Sequence, residues 1–165
     1  MAMVLATATR DGAPSTRTVL VRRIDDTGLK FGTADRSRKG RDFAANPKVA
    51  GTFYWRETLQ QINVSGEIEL LGAEDSDLLF DRRTDEAKAA TRVSDQSETL
   101  TDPAHLESRM KDDLESGDLI RPAGWSGYRL RIDRIEFWHG SPDRLHRRLE
   151  YKRAGDGWSH RRLQP

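Results

Sequence analysis

With 165 residues, 28 basic against 27 acidic side chains and a net charge of +1, the chain has the length of one domain and lacks the basic excess of a dedicated nucleic-acid binder. It contains no cysteine, which excludes disulfides, thiolate metal sites and cysteine nucleophiles. No apolar run approaches the roughly eighteen residues of a membrane span, and Met1 to Thr9 shows neither a charged leader nor a cleavage site, so no membrane partner and a cytoplasmic location are expected.

The first half reads as β-hairpins. Met3–Thr9 is a strand, followed by the turn dipeptide Asp11-Gly12 and a β-branched strand over Ser15–Arg23. Asp25-Asp26-Thr27-Gly28 turns the chain into a strand at Leu29–Thr33. A short helix follows, with Ser37 as N-cap and Asn46-Pro47 as its stop. Val49–Trp55 and Gln61–Leu71 are two more strands, the second interrupted at Gly66, where a bulge is expected. The middle is helical, over Ser76–Arg83 and over Pro103–Leu114 behind an Asp102 cap, and Glu115–Gly124 reads as loop. Strands return at Ser126–Ile132, Ile135–Trp138, Leu145–Tyr151 and Trp158–Arg162. This pattern predicts a mainly β (α+β) fold, a closed or split antiparallel barrel with a few short helices, in a single domain over residues 1–165.

Several segments carry more charge than a fold needs. If Arg144-Leu145-His146-Arg147-Arg148 is a strand, Arg144, His146 and Arg148 share one face, and three cations there require an anionic or electron-rich ligand. Arg38 and Lys39 occupy a helix start, where acidic residues are usual, which suits a docked phosphate or carboxylate. Arg17 can fork onto a phosphate; Arg22, five residues on, faces the other side of a regular strand. Gln60-Gln61 and Gln96-Ser97 offer neutral hydrogen bonds suited to a heteroaromatic ring. Trp138 can stack on such a ring or fill the core. The four histidines show no metal-ligand spacing, and no Ser–His–Asp order, phosphate-binding Walker loop or dinucleotide glycine motif is present.

Taken together, Arg17-Thr-Val-Leu-Val-Arg22, Phe31-Gly-Thr33, Ser37-Arg-Lys39, Asn46-Pro47, Gln61, Gln96-Ser97, Ile135-Glu-Phe-Trp138 and Arg144-Leu-His146 with Arg148 resemble the pyridoxamine 5′-phosphate oxidase family, flavin enzymes built on an FMN-binding split barrel. The resemblance spans essentially the whole chain. It implies a homodimer with FMN between the subunits. It assigns Arg17, Arg38 and Lys39 to the FMN phosphate and its surroundings, and Val19, Leu20, Thr33, Gln61, Gln96, Ser97, Trp138 and Arg148 to other flavin contacts. Arg144 and His146 match the catalytic pair that orients substrate over the flavin. The resemblance further implies that a hydride passes to flavin N5 and that O2 reoxidises the flavin.

The departures concern the substrate. Where the family cradles the substrate phosphate with lysine, tyrosine, arginine and serine, this chain has Arg22, Leu79, Arg83 and Ala87. Losing two phosphate hydrogen bonds costs about 1.5–3 kcal/mol each, so a carboxylate, or no anion, is expected beside Arg22 and Arg83. Trp55-Arg-Glu-Thr-Leu-Gln-Gln61, Gln96-Ser-Glu-Thr-Leu100 and Trp158-Ser-His-Arg-Arg-Leu-Gln-Pro165 are similar to the phenazine-biosynthesis flavin oxidases of the same superfamily. That likeness implies a reduced phenazine carboxylate as substrate; vitamin B6 phosphate oxidation and a non-catalytic flavin-binding barrel are the alternatives. Met1 begins almost at the first barrel strand, without the family's usual N-terminal extension, so either an extension is trimmed away or the pocket is unusually open.

Overall fold

β1 (Ala2–Ala8) alternates buried Met3, Leu5 and Thr7 with outward side chains and pairs antiparallel with β2 (Pro14–Leu20). The turn between them takes Gly12 to φ +90°, a region that favours glycine. These strands belong to a computed structural model that describes all of residues 1–165. The predicted strand Ser15–Arg23 stops at Leu20, because the chain changes partner there. The Val21 N–H donates to the Met1 carbonyl and the Arg22 N–H to the Lys30 carbonyl. Pairing resumes as β3 (Arg23–Asp25) against β4 (Gly28–Ala34). Arg17 and Arg22 therefore share no strand, and the face parity expected of them does not apply.

α1 (Arg38–Ala45) has the expected ends: the Ser37 hydroxyl accepts from the Gly40 N–H at 3.3 Å, and Asn46 closes the helix. β5 (Lys48–Trp55) pairs with β6 (Gln60–Leu70). Three helices follow: α2 (Ala73–Asp81), α3 (Asp85–Val93) and α4 (Pro103–Ser116). The middle one was not separately expected; the Thr84 hydroxyl caps it, and the residues it buries, Ala89 and Val93, are small. The Asp102 cap of α4 is as predicted.

β7 (Trp125–His139) replaces the two strands expected at Ser126–Ile132 and Ile135–Trp138. The interruption between them is a register shift against β6, at Ser65/Gly66, with Asp133 as the extra residue on β7. Gly66 is needed there because a Cβ would sit 1.9 Å from the Arg131 carbonyl oxygen. The first half of β7 also pairs with β4 and the second half with β8 (Arg147–Ala154), which carries β9 (Gly157–Leu163). The sheet order is β2-β1-β5-β6-β7-β4-β3, with β8 and β9 off the end of β7. It is an antiparallel split barrel that does not close on itself. Its core gathers Met3, Leu5, Phe31, Phe43, Phe53 and Leu130, while Leu79, Phe80 and Trp125 pack a smaller cluster under α2.

Candidate active site

The first constellation forms where β4, α1 and the loop after α3 converge. α1 has no acidic residue in its first turn. Lys39 is only 8% exposed, and its ammonium donates to Gln96 Oε1 at 2.9 Å and to Ser37 Oγ at 3.3 Å. The Thr33 hydroxyl donates to the same Gln96 oxygen, and the Arg38 N–H to Ser97 Oγ at 3.1 Å. No carboxylate pairs with Lys39. Burial, and then the Arg17 charge, push its pKa down to about 8. Arg17 itself is steered by Thr7 Oγ1 at 2.7 Å and Ser15 Oγ at 2.6 Å, with Asp42 of α1 at 3.8 Å. Buried cations without a full set of counter-charges describe a site for an anion.

A cleft of about 160 Å³ adjoins this cluster and brings Val19, Leu20, Arg22, Thr33, Lys39, Arg83 and Gln96 together with Leu79 and Trp125. Neither Arg22 nor Arg83 pairs with a carboxylate. The Arg83 guanidinium donates to the Ala87 carbonyl and the Thr91 hydroxyl, both at 2.8 Å, and lies 5.5 Å from the Trp125 ring centroid. Its Nε is buried with no partner. Burial, and then the Arg22 charge, lower its pKa, as two like charges beside one cleft require.

The second constellation lies at the far end of β7. A cleft of about 970 Å³ is lined by Gln61, Trp138, His146 and Arg148, with Trp55, Phe137 and Leu163 among its walls. Gln61 and Trp138 are cross-strand partners, as are Trp138 and Arg148. Trp138 is half-buried and lines the cleft, with the His146 ring 4.9 Å away.

The expected single strand face of Arg144, His146 and Arg148 is corrected here. β8 begins only at Arg147, and Arg144 sits in a turn with φ +66°. The turn is built by Asp143, whose carboxylate accepts from Ser141 Oγ at 2.5 Å and the Leu145 N–H at 2.9 Å. Those bonds, that of Ser141 first, hold the Asp143 pKa below the usual carboxylate range. His146 Nδ1 accepts from the Ser141 N–H at 3.1 Å, which leaves Nε2–H as the free donor of the neutral ring. Arg144 is exposed and lines neither cleft.

Sequence reasoning overlooked Thr7, Ser15 and Asp42 around Arg17, and Trp125 beneath Arg83. The signal for Asp42 was available: it lies one helical turn beyond Lys39 on a short cationic helix. The others come together only through strand pairing.

Residues 1–116 match the family model for pyridoxamine 5′-phosphate oxidase, and residues 125–165 that for the pyridoxine 5′-phosphate oxidase C-terminal dimerisation region. The chain belongs to the pyridoxamine 5′-phosphate oxidase family. As a member it is an FMN-linked oxidase. Pyridoxamine 5′-phosphate oxidase relatives include the pyridoxine/pyridoxamine 5′-phosphate oxidase of Rubrobacter xylanophilus, 45% identical over 99% of this chain and 77% of the relative. The dihydrophenazinedicarboxylate synthase of Pseudomonas chlororaphis is 42% identical over 99% of this chain and 74% of its own. The crystal structure of PhzG from Burkholderia lata 383, in complex with tetrahydrophenazine-1-carboxylic acid, superposes with a TM-score of 0.96 at 42% identity, covering 99% of this chain and 82% of that one.

The residues present fit the pyridoxamine 5′-phosphate oxidase cofactor. The buried, uncompensated Lys39 beside Arg17 and the α1 N-terminus suits a phosphate dianion, and the Gln61–Trp138–Arg148 wall suits a planar polar ring.

Proposed function

We propose that this protein oxidises reduced phenazine carboxylates, using FMN seated between two copies of the chain. The observation that carries the substrate class is the cleft at Arg22, Leu79 and Arg83: two arginines without carboxylate partners face it, and Leu79, 5% exposed, stands where the family's hydroxyl-bearing tyrosine is expected. Carboxylate recognition by forked guanidinium groups needs no further hydroxyl. The likeness to PhzG and to the Pseudomonas chlororaphis enzyme supports the same reading.

The composite site has its own support. Seven of the expected site residues line the small cleft and four line the large one, and no residue lines both. Trp125 of the first and Trp138 of the second sit at opposite ends of a 15-residue strand, a contour of roughly 50 Å. In this reading each set comes from a different subunit, and one flavin bridges them. The match of residues 125–165 to a dimerisation region agrees with this.

When bound, FMN supplies a hydride acceptor at N5 and returns the electrons to O2 as hydrogen peroxide. The chain holds the phosphate with Arg17, Arg38 and Lys39, contacts the flavin beside it with Gln96 and Ser97, and flanks the ring with Gln61, Trp138 and Arg148. His146 Nε2–H and Arg144 orient the substrate, and Arg22 and Arg83 take its carboxylate. Vitamin B6 phosphate oxidation is the second reading, favoured by relatives of that name at 44% and 45% identity, against 42% for the phenazine enzyme.

The deciding experiment records the visible spectrum of the purified protein, then peroxide release with a reduced phenazine carboxylate and with pyridoxine phosphate. A flavin spectrum and faster turnover of the phenazine are expected. Faster turnover of pyridoxine phosphate overturns the substrate assignment, and failure to bind FMN overturns the site.

A further inference from the structure

Behind Arg148 the fold buries a row of alternating charges. Glu136 and Glu150 are direct partners across the β7–β8 ladder and are 4% and 3% exposed. Two like charges so placed repel unless cations come between them. Arg134 does this, donating to Glu136 Oε2 at 2.9 Å and to Glu150 Oε2. Arg161 of β9 donates to Glu150 Oε1 at 2.7 Å. The remaining Glu136 oxygen accepts from Arg148 Nε at 2.7 Å, and the Gln164 carbonyl accepts from Arg148 Nη1 at 3.0 Å.

Arg148 is thus held by its inner donor and one outer donor, while Nη2 keeps no partner within the chain. A carboxylate on Nε and a carbonyl on Nη1 leave Nη2 available, whereas an end-on carboxylate fork would consume it. Glu150 is as deeply buried and equally charged, but it engages only Arg134, Arg161 and Lys152 and makes no bond to Arg148. Of the two glutamates, only Glu136 holds a cleft residue.

We propose that Glu136 is a positioning residue of the flavin site, fixing Arg148 so that its free Nη2 is presented to the bound cofactor. This rests on the reading of Arg148 as a flavin contact. Without Glu136, Arg148 keeps only the Gln164 carbonyl and must be ordered each time the cofactor binds, which weakens binding and alters the polarity beside the ring.

The test is a double-mutant cycle on the dimeric protein, stripped of flavin and titrated with FMN. Dissociation constants come from flavin fluorescence, and the absorption maximum of the bound flavin is recorded alongside. Glu136→Ala and Arg148→Ala are each expected to weaken FMN about tenfold or more and to shift the maximum, with the double variant no weaker than Arg148→Ala alone. Glu136→Gln keeps an acceptor for Arg148 Nε and restores part of the affinity. Glu150→Gln is expected to lower the unfolding midpoint while leaving FMN affinity unchanged. Should Glu136→Ala not fold, the same cycle runs with Glu136→Gln, whose smaller loss must also vanish in the Arg148→Ala background. A Glu136 effect that persists undiminished in that background, an equal FMN loss in Glu150→Gln, or no loss in either Glu136 variant overturns the inference. If Arg148→Ala alone leaves affinity and spectrum intact, the reading of Arg148 as a flavin contact fails first, and the inference with it.

Discussion

The Lys39 ammonium and the Gln96 side-chain carbonyl meet at 2.9 Å across 57 residues of sequence. Thr33 donates to the same oxygen, so β4, α1 and the loop after α3 are tied at one neutral acceptor. A neutral acceptor orders the lysine without cancelling its charge, which stays available to an anion.

Replacing that lysine has consequences of opposite sign for binding and for pH stability. Lys39→Met is expected to weaken FMN by at least about tenfold, the loss of one charge-assisted hydrogen bond. The Lys39 pKa is lowered from the ordinary 10.5 to about 8. Below pH 8 both folded and unfolded chains hold the proton, and the burial penalty is fully present. Between pH 8 and 10.5 the unfolded chain binds more protons than the folded one, so stability rises with pH. Flavin-free protein should therefore gain denaturation midpoint from pH 7.5 to pH 10 relative to Lys39→Met, while wild-type FMN affinity declines above pH 8. Parallel stability curves for the two proteins would show that Lys39 is not the group responsible.

Asp42 is 5% exposed and accepts from Thr7 and Ser15 while facing Arg17 at 3.8 Å. Asp42→Asn leaves Arg17 without its counter-charge and replaces the carboxylate oxygen shared by the Thr7 and Ser15 hydroxyls with a weaker, neutral amide acceptor. We expect about 1–3 kcal/mol less stability by urea denaturation, together with weaker FMN binding. Unchanged stability would mean that the surrounding hydroxyls repack freely.

At Gly66 the cause is steric. A Cβ 1.9 Å from the Arg131 carbonyl oxygen cannot be accommodated without breaking the β6–β7 bulge. Gly66→Ala should cost at least about 2 kcal/mol in urea denaturation. A midpoint equal to wild type would mean that the bulge can migrate along β7.

On the phenazine reading, substrate choice rests on Leu79 and Ala87. Introducing Leu79→Tyr with Ala87→Ser restores two hydroxyls near Arg83, and kcat/KM for pyridoxine phosphate should rise about tenfold relative to the phenazine. Steady-state assays of both substrates measure the ratio; an unchanged ratio detaches these positions from substrate choice.

Arg144→Ala and His146→Ala should each reduce turnover with FMN still bound, read by peroxide assay and visible spectrum. For Arg144 a gain in stability of up to about 1 kcal/mol is expected from Arg144→Gly, since φ +66° suits glycine. Loss of the flavin spectrum instead would reassign both residues to cofactor binding.

Much of the fold was legible because its signals are local. The strand alternation of Met3–Ala8, the Asp11-Gly12 turn, the Ser37 and Asp102 caps and the break at Gly66 each depend on a few neighbouring residues. α3 escaped separate notice because its buried residues, Ala89 and Val93, are small, and its apolar stripe lacks large side chains such as Leu78, Leu79 and Phe80 of α2. The excess of positive charge at Lys39 and Arg148 was equally visible in the sequence.

By itself, then, the sequence determined the strand and helix types, the helix caps and the presence of cations that needed an anion. Tertiary structure decided which cations act together. Whether Arg17 and Arg22 share a face, and whether Arg144 lies on the strand of Arg148, depends on where the chain changes pairing partner, and partners are remote in sequence. The separation of the two clefts has the same cause: one long strand carries Trp125 to the first and Trp138 to the second.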